Sequence, residues 1–220
     1  TAFTASNLGD GLSLVALPLL AIRLTDDARL VAAVAVAQYL PYLLIGLPAG
    51  VVIDRYDRRW IAVVAQTARA AVIGGLGIGL IVGDPGIAVL FGVAFLVGAS
   101  EVMTDGGLPA LVRDLVRPRQ LEVANARLSA TQTVTNSFVG PPVGALLFQW
   151  EAAAPFLASA AVAMVSVATL TRLPGRYRPD QPSEVVPVHR RTIVGLRYVW
   201  AHPVLRPLVI AVGPFSFVGA

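Results

Sequence analysis

The sequence contains no cysteine and no lysine, and its only histidines are His189 and His202. Without cysteine there are no disulfides or thiolate metal sites, and two isolated histidines offer no metal cluster. Without lysine there is no Walker-type Gly-Lys-Ser/Thr loop for phosphate, and the sequence also lacks a nucleophile elbow. We therefore predict no metal, no cofactor and no enzymatic activity.

Charge is also scarce. Charged residues make up 14% of the chain and hydrophobic residues 56%, whereas soluble domains average about 25% and about 45–50%. Apolar runs of about 18 residues or more recur with polar breaks between them, a pattern that requires lipid on the outside. The net charge of +4 does not indicate nucleic acid, because the arginines concentrate in alternate loops. The composition predicts an all-α membrane protein in a lipid bilayer.

Six complete membrane spans are predicted, and a seventh begins near residue 204. The spans cover residues 2–22, 30–53, 60–82, 87–107, 123–148 and 154–172. The chain starts and stops within apolar runs, so we expect a fragment of a longer protein. Its predicted parts are a six-helix half over 1–173, a polar, proline-rich cytoplasmic linker over 174–203, with a short amphipathic helix at 192–200, and a truncated seventh helix over 204–220.

The loops alternate in charge. The loops on one side of the predicted membrane are rich in arginine, and cytoplasmic loops typically carry an excess of arginine. This asymmetry predicts a cytoplasmic amino terminus in a multi-pass protein of the plasma membrane. The inner loops contain Arg55, Arg58, Arg59, Arg113, Arg117, Arg119, Arg172, Arg176, Arg178, Arg190, Arg191 and Arg197, and the outer loops contain Arg23, Asp26, Asp27, Arg29, Asp84 and Glu151.

Ionisable residues within the predicted spans are functional candidates, because a charge in hydrocarbon is costly. Asp10 lies in the first span. The alternative is that Asp10 lies nearer the inner membrane interface, because the sequence does not show where that helix begins. Arg69 and Glu101 lie roughly 13 Å and 10 Å from the inner ends of their spans at ~1.5 Å per residue, so Glu101 is the expected partner of Arg69. Asp105 lies one turn further along the same face. Because Asp10 has no obvious cation at its depth, we expect Asp10 to carry the proton and Glu101 to be the structural partner, although a purely structural ion pair is an equal alternative.

The fifth span has polar and small residues on one helical face. A polar stripe of this length faces other helices or a water-filled path rather than lipid. Gln38 in the second span could line the same cavity. The stripe comprises Asn125, Ser129, Gln132, Asn136, Gly140 and Gly144, with Pro141 bending the axis.

The hairpin between the second and third spans carries a recognisable spacing in Gly50, Asp54, Arg55, Arg58 and Arg59. It resembles the G-x-x-x-D-R-x-G-R-[KR] loop of the major facilitator superfamily of secondary transporters. Asp57 stands where that motif usually has glycine. The stretches 8–20, 112–126, 139–144 and 195–206 resemble the drug-exporter branch with macrolide-efflux-like and enterobactin-exporter-like proteins. The stretch 139–144 also resembles an antiporter motif, although Ala145 replaces its last glycine.

The resemblance implies a transporter of two six-helix halves with substrate bound between them at the midplane. In such families the loop aspartate, here Asp54, holds the inner side closed by contacting the partner half and neighbouring arginines, here Arg55 and Arg58. It implies proton-driven efflux of a hydrophobic small molecule, either a drug or a siderophore-like metabolite. Its partners would be protons, the bilayer and the missing C-terminal half. Uptake or facilitated diffusion of a metabolite, and a non-transporting scaffold or sensor, remain as alternatives.

Overall fold

A computed structural model describes residues 2–175 and 177, and this part of the chain is helical without strands. Short turns join the helices, so that successive long helices run in opposite directions. The helices are α1 (Ala2–Leu24), α2 (Ala28–Arg55), α3 (Arg58–Val82), α4 (Ile87–Leu115), α5 (Leu121–Gln132), α6 (Gly140–Trp150) and α7 (Ala154–Thr171), with a 3₁₀ turn at Pro118–Gln120 and a π-helical segment at Thr133–Val139.

Five predicted spans agree with helical segments to within two residues at each end, the fifth being α5, the π segment and α6 together. Two helix starts are capped by aspartates, since Asp27 Oδ1 accepts from Arg29 N–H at 2.8 Å and Asp57 Oδ1 accepts from Arg59 N–H at 3.0 Å. Such caps satisfy amide groups that lack a partner in the first helical turn. In the described residues, α1, the 28–46 part of α2, α3, α4 and α7 are long and apolar enough to cross a membrane.

The fourth predicted span is wrong at its inner end, because α4 continues from residue 107 to Leu115. Leu108, Ala110 and Leu111, which follow the predicted end, are apolar and buried, so the helix continues within the bundle. Glu101 therefore lies fourteen residues before the end of α4, about 21 Å at ~1.5 Å per residue. The predicted match in depth between Glu101 and Arg69 was therefore based on residue 107, which is not the inner end of α4.

The fifth span is not a regular α-helix, although the polar stripe was predicted on the basis of one. Between α5 and α6 the chain widens into the π segment, and the N–H of Gly140 donates to Thr135 O, five residues earlier. Pro141 and Pro142 have no N–H and crowd the carbonyls four residues before them, which disfavours a regular helix there. The π segment thus ends directly before the two prolines.

The bundle has two apolar clusters separated by polar residues along the helix axes. The larger cluster includes Leu17, Ile73, Leu90, Val97 and Phe156, all fully or almost fully buried. The smaller cluster lies towards the loop between α2 and α3 and comprises Ala62, Val63, Leu108, Leu111 and Leu170. The buried polar residues between them are Ser6, Asn7, Asp10, Ser13, Gln38, Gln66, Arg69, Ser100, Glu101, Thr104, Ser159 and Ser166.

Several predictions concern residues outside the described part of the chain. These are the linker over 174–203 beyond its first residues, its amphipathic helix at 192–200, the seventh helix over 204–220, and the arginines at 176, 178, 190, 191 and 197.

Candidate transport site

A cavity of about 370 Å³ lies at the level of the polar layer. This volume is at the lower end of the range for small-molecule sites, about 300–1,000 Å³. Its wall combines carboxylates, amides, hydroxyls and two tyrosines, supplied by α1, α2, α4 and the region around the π segment. The lining residues are Asp10, Leu14, Gln38, Tyr39, Tyr42, Glu101, Asp105, Gln132, Thr133, Asn136 and Ser137.

Two carboxylates of this wall, Asp10 and Glu101, form a buried charged cluster with Arg69, which does not line the cavity. Nη1 of Arg69 contacts Oδ1 of Asp10 and lies 3.8 Å from Oε1 of Glu101. The side chain of Arg69 is 2% exposed, and those of the carboxylates are 10% and 11% exposed. With both carboxylates ionised, the cluster carries a formal charge of −1.

The sequence-based pairing of this cluster was wrong in one respect. Asp10, expected to lack a cation, is the carboxylate closest to Arg69, and Glu101 is the more distant one. Depth along single helices did not reveal that the long side chain of Arg69 reaches from α3 to α1. Gly9 helps to make room, since a Cβ at this position would lie 3.3 Å from Ser159 Oγ and 3.9 Å from Arg69 Nη2.

A second polar connection between α3 and α1 was missed by the sequence analysis. Gln66 is fully buried, and its amide nitrogen donates a hydrogen bond to Ser6 Oγ. Ser159 of α7 donates to Gly9 O at 3.0 Å and lies 3.0 Å from Ser13 Oγ. Gln66 precedes Arg69 by three residues and therefore shares its helical face, a spacing that could have identified it.

The polar stripe of the fifth span divides into two parts. Gln132 and Asn136 line the cavity. Gly140 and Gly144 instead allow the closest approach to α1: a Cβ at Gly140 would lie 2.5 Å from Gly11 Cα, and one at Gly144 would lie 2.7 Å from Leu12 O. Pro141 is half-buried beside them. The stripe residues Asn125 and Ser129 are exposed and do not line this cavity.

Asp105 differs from the buried cluster. It was predicted to be a buried charge, but it is exposed in the described bundle. Its Oδ2 accepts a hydrogen bond of 2.8 Å from the hydroxyl of Tyr42. The rings of Tyr42 and Tyr39 lie 6.4 Å apart, and both tyrosines line the cavity.

The charged loop between α2 and α3 contacts the ends of two other helices. Nη1 of Arg58 donates to Oδ1 and Oδ2 of Asp114 at 2.7 and 2.6 Å, and Nη2 of Arg59 donates to Thr171 O at 2.5 Å. Arg58 therefore pairs with α4 rather than with Asp54. Gly50, Asp54 and Arg55 are exposed, and the described residues contain no salt bridge between Asp54 and a neighbouring arginine.

Asp57, the departure from the loop motif, has a local role. Its φ of −63° is open to any residue, so the turn does not require glycine. One carboxylate oxygen caps α3, and the other accepts from the N–H of Tyr177 at 3.3 Å. The N–H of Arg58 donates to Tyr177 O at 3.2 Å. The loop is thus bonded to the chain just beyond α7.

The fold and this site define a multi-pass helical membrane protein with a charged cavity inside its bundle. Residues 1–220 match the sequence model described as Major Facilitator Superfamily. The chain belongs to the Major Facilitator Superfamily. Membership of a transporter family confirms the predicted fold class and the prediction that the protein is not an enzyme.

Similar proteins include transporters of mycobacteria. The chain is 30% identical over 210 residues to the uncharacterized MFS-type transporter Rv0037c of Mycobacterium tuberculosis, covering 90% of this chain and 46% of that relative. It is 27% identical over 224 residues to the multidrug efflux pump Tap of Mycolicibacterium fortuitum, covering 92% and 51%. For the multidrug efflux pump Tap of Mycobacterium tuberculosis the identity is 29% over 215 residues, covering 91% and 49%. The chain spans about half the length of the curated relatives it matches.

Proposed function

We propose that the protein exports a hydrophobic small molecule across the plasma membrane in exchange for protons, by alternating access. The observation that carries this proposal is the buried Asp10–Arg69–Glu101 cluster, whose two carboxylates line a cavity of ligand size. A purely structural ion pair needs one carboxylate for each arginine. The second carboxylate gives the cluster a site for a proton next to a site for a substrate. Similarity to pumps named for multidrug efflux supports the direction of transport.

Glu101 is the better candidate for the coupling proton. Both carboxylates line the cavity, but Asp10 contacts the guanidinium of Arg69, whereas Oε1 of Glu101 lies 3.8 Å from Nη1 of Arg69. Protonation of Glu101 leaves an Asp10–Arg69 pair with no net charge, which costs least in a region of low dielectric constant. This role reverses the assignment drawn from the sequence, whose premise of an unpaired Asp10 was wrong.

The loop residues Gly50, Asp54, Arg55, Arg58 and Arg59 form the proposed conformational latch at the cytoplasmic end. Three parts of the bundle meet there: the loop, the end of α4 through Asp114, and the end of α7 through Thr171. The exposed carboxylate of Asp54 is free to contact a further part of the protein. We assign that part to a C-terminal half, since the chain spans about half the length of its relatives.

The proposed orientation places the amino terminus in the cytoplasm. Arg58, Arg113 and Arg172 lie at one end of the bundle, whereas Asp84 and Glu151 lie at the other. Single cysteines at Arg58 and Arg117 should be labelled only from the cytoplasm, and those at Asp84 and Glu151 only from outside. An inverted pair would overturn this orientation.

The test of coupling uses the full chain that contains this sequence, reconstituted in proteoliposomes. Efflux of a panel of hydrophobic dyes is measured at several imposed pH gradients, beside equilibrium binding in detergent. Wild type should transport at a rate that follows the gradient. Glu101→Gln should bind the same dyes with transport independent of the gradient, whereas Asp84→Asn, an exposed carboxylate in an outer loop, should behave as wild type.

Two results would contradict the proposal. Full gradient dependence in Glu101→Gln would place the proton site elsewhere. Raised rather than lowered accumulation of the panel in expressing cells would indicate uptake instead of export.

A further inference from the structure

The carboxylate of Asp57 joins two parts of the chain that are 120 positions apart. Its Oδ1 accepts from the N–H of Arg59 at 3.0 Å and caps α3, while its Oδ2 accepts from the N–H of Tyr177 at 3.3 Å. Asp27 caps α2 in the same way, through Oδ1 and the N–H of Arg29, but its Oδ2 has no donor among the residues that the structure describes. The second bond of Asp57 is therefore not a requirement of capping.

The backbone of Tyr177 is bonded to this loop through both of its polar groups. Its N–H donates to Asp57, and its carbonyl oxygen accepts from the N–H of Arg58 at 3.2 Å. Arg58 is the first residue of α3, where an N–H group has no partner inside the helix. Tyr177 thus satisfies an amide of α3, and two bonds to consecutive residues fix its orientation as well as its distance.

The side chain of Tyr177 holds the residue from another direction. It is partly buried against the smaller apolar cluster, as is Leu173. Its hydroxyl donates to Pro174 O at 2.7 Å. Between these residues, Gly175 has a φ of 108°, in the left-handed region that favours glycine. This turn brings the chain from the end of α7 to the start of α3.

The place of this contact gives it its interest, because the loop belongs to the proposed conformational latch. The same loop contains the exposed carboxylate of Asp54, and Arg58 also pairs with Asp114 of α4. The chain continues beyond Tyr177, so a displacement of that continuation reaches the loop first through the bonds of Tyr177. A glycine at position 57, which the loop motif usually has, would have no carboxylate and could form neither the cap nor this bond.

We propose that Asp57 is a positioning residue that fastens the chain leaving α7 to the latch through Tyr177, so that this chain and the loop move together during transport. The inference rests on the proposed transport function and extends it from the latch to the chain that leads out of the six-helix half. Asp57 does not line the cavity, and it acts through the position of the loop rather than through the transported molecule.

The substitution Asp57→Asn separates this contact from the cap. The side-chain oxygen of asparagine can still cap α3, but its other polar atom is an N–H donor, which cannot accept from the N–H of Tyr177. We measure hydrogen exchange of the full chain in detergent by mass spectrometry, with fragmentation that resolves single residues. The amide of Tyr177 should exchange about three- to tenfold faster in Asp57→Asn, as expected for the loss of one hydrogen bond to a charged group.

Asp27→Asn is the matched control, because it makes the same change at a capping aspartate that has one bond only. It should leave the exchange of Tyr177 unchanged. Both variants are then compared in proteoliposomes with the dye panel. Asp57→Asn should lower the maximal rate of gradient-driven efflux severalfold while the Kd for the dyes in detergent stays that of wild type, and Asp27→Asn should change neither quantity.

Each result decides a separate part of the inference. Unchanged exchange at Tyr177 in a folded Asp57→Asn protein would overturn the contact, and faster exchange with an unchanged maximal rate would overturn its role in transport. If Asp57→Asn does not fold, Asp57→Ser takes its place, since a serine hydroxyl caps helices but offers a single oxygen. A wild-type protein that binds the dyes without gradient-driven efflux would refute the proposed function and with it the role in transport, whereas the exchange comparison would still decide the contact.

Discussion

The described part of the chain contains two ion-pair sites of similar chemistry in different surroundings. In the interior, Arg69 is 2% exposed and serves two carboxylates. At the end of the bundle, Nη1 of Arg58 donates to both carboxylate oxygens of Asp114, and the two side chains are 17% and 31% exposed. Removing one member of a buried pair leaves an unpaired charge where water cannot reach it, whereas water solvates what remains of an exposed pair. From this difference we expect the interior cluster to contribute strongly to folding stability, and the exposed pair to contribute little.

Among the substitutions that test this difference, Arg69→Met should have the largest effect on stability. It leaves Asp10 and Glu101 facing each other without a cation, so we expect a loss of about 3–5 kcal/mol in the free energy of unfolding and a low yield of folded protein. The measurement is thermal unfolding in detergent, followed by size-exclusion chromatography. Arg29→Met, at an exposed outer position, is the control. A stable Arg69→Met protein would show that water solvates the cluster, and that it does not differ in this respect from the Arg58–Asp114 pair.

A second prediction concerns the glycine contact that holds α1 beside the cavity. In Gly140→Ala the new Cβ would lie 2.5 Å from Gly11 Cα and 2.7 Å from Thr135 O. We expect a loss of about 1–3 kcal/mol, typical of overpacking. Gly92→Ala is the matched helical control, because its Cβ would meet nothing within 4 Å. Equal unfolding temperatures for the two variants would mean that α1 and α6 are not closely packed.

The exposed pair should contribute little to stability. Arg58→Gln, Asp114→Asn and the double variant form a cycle whose coupling energy we expect to be about 0–1 kcal/mol, since partly exposed pairs are screened by solvent. Unfolding measured at low and high salt checks the value. A coupling energy that is large and independent of salt would place this pair in the same class as the interior cluster.

The smallest effect on stability is expected for Asp54→Asn, because this carboxylate is exposed and has no salt bridge among the described residues. Transport by the full chain should nevertheless fall severely if Asp54 acts as the latch. Efflux normalised to protein amount tests this, with Asp84→Asn as control. Normal efflux by Asp54→Asn would show that this loop carboxylate is merely solvated and has no role as a latch.

Much of the fold was predictable because the cost of placing polar groups in lipid fixes where spans begin and end. Five spans agreed closely for that reason, whereas α4 continues beyond the fourth span through the buried apolar residues Leu108, Ala110 and Leu111. The interior charges were found by their rarity. Their partners were not, because Asp10 and Arg69 are 59 positions apart and meet through the length of one side chain. Nor did the sequence identify Asp114 as the partner of Arg58.

The π segment also bears on chain length. A π turn accommodates more residues than an α-helical turn, so Thr133–Val139 stores surplus chain between two helices whose positions are fixed by other contacts. Gln132 at one end faces the cavity, and Gly140 at the other end is packed against Gly11. Deleting one residue within 133–139 should therefore shorten the segment while both ends keep their contacts. The same deletion within α3 would rotate everything beyond it by about 100°. Among the described helices, we therefore expect the fifth span to tolerate a change of length best.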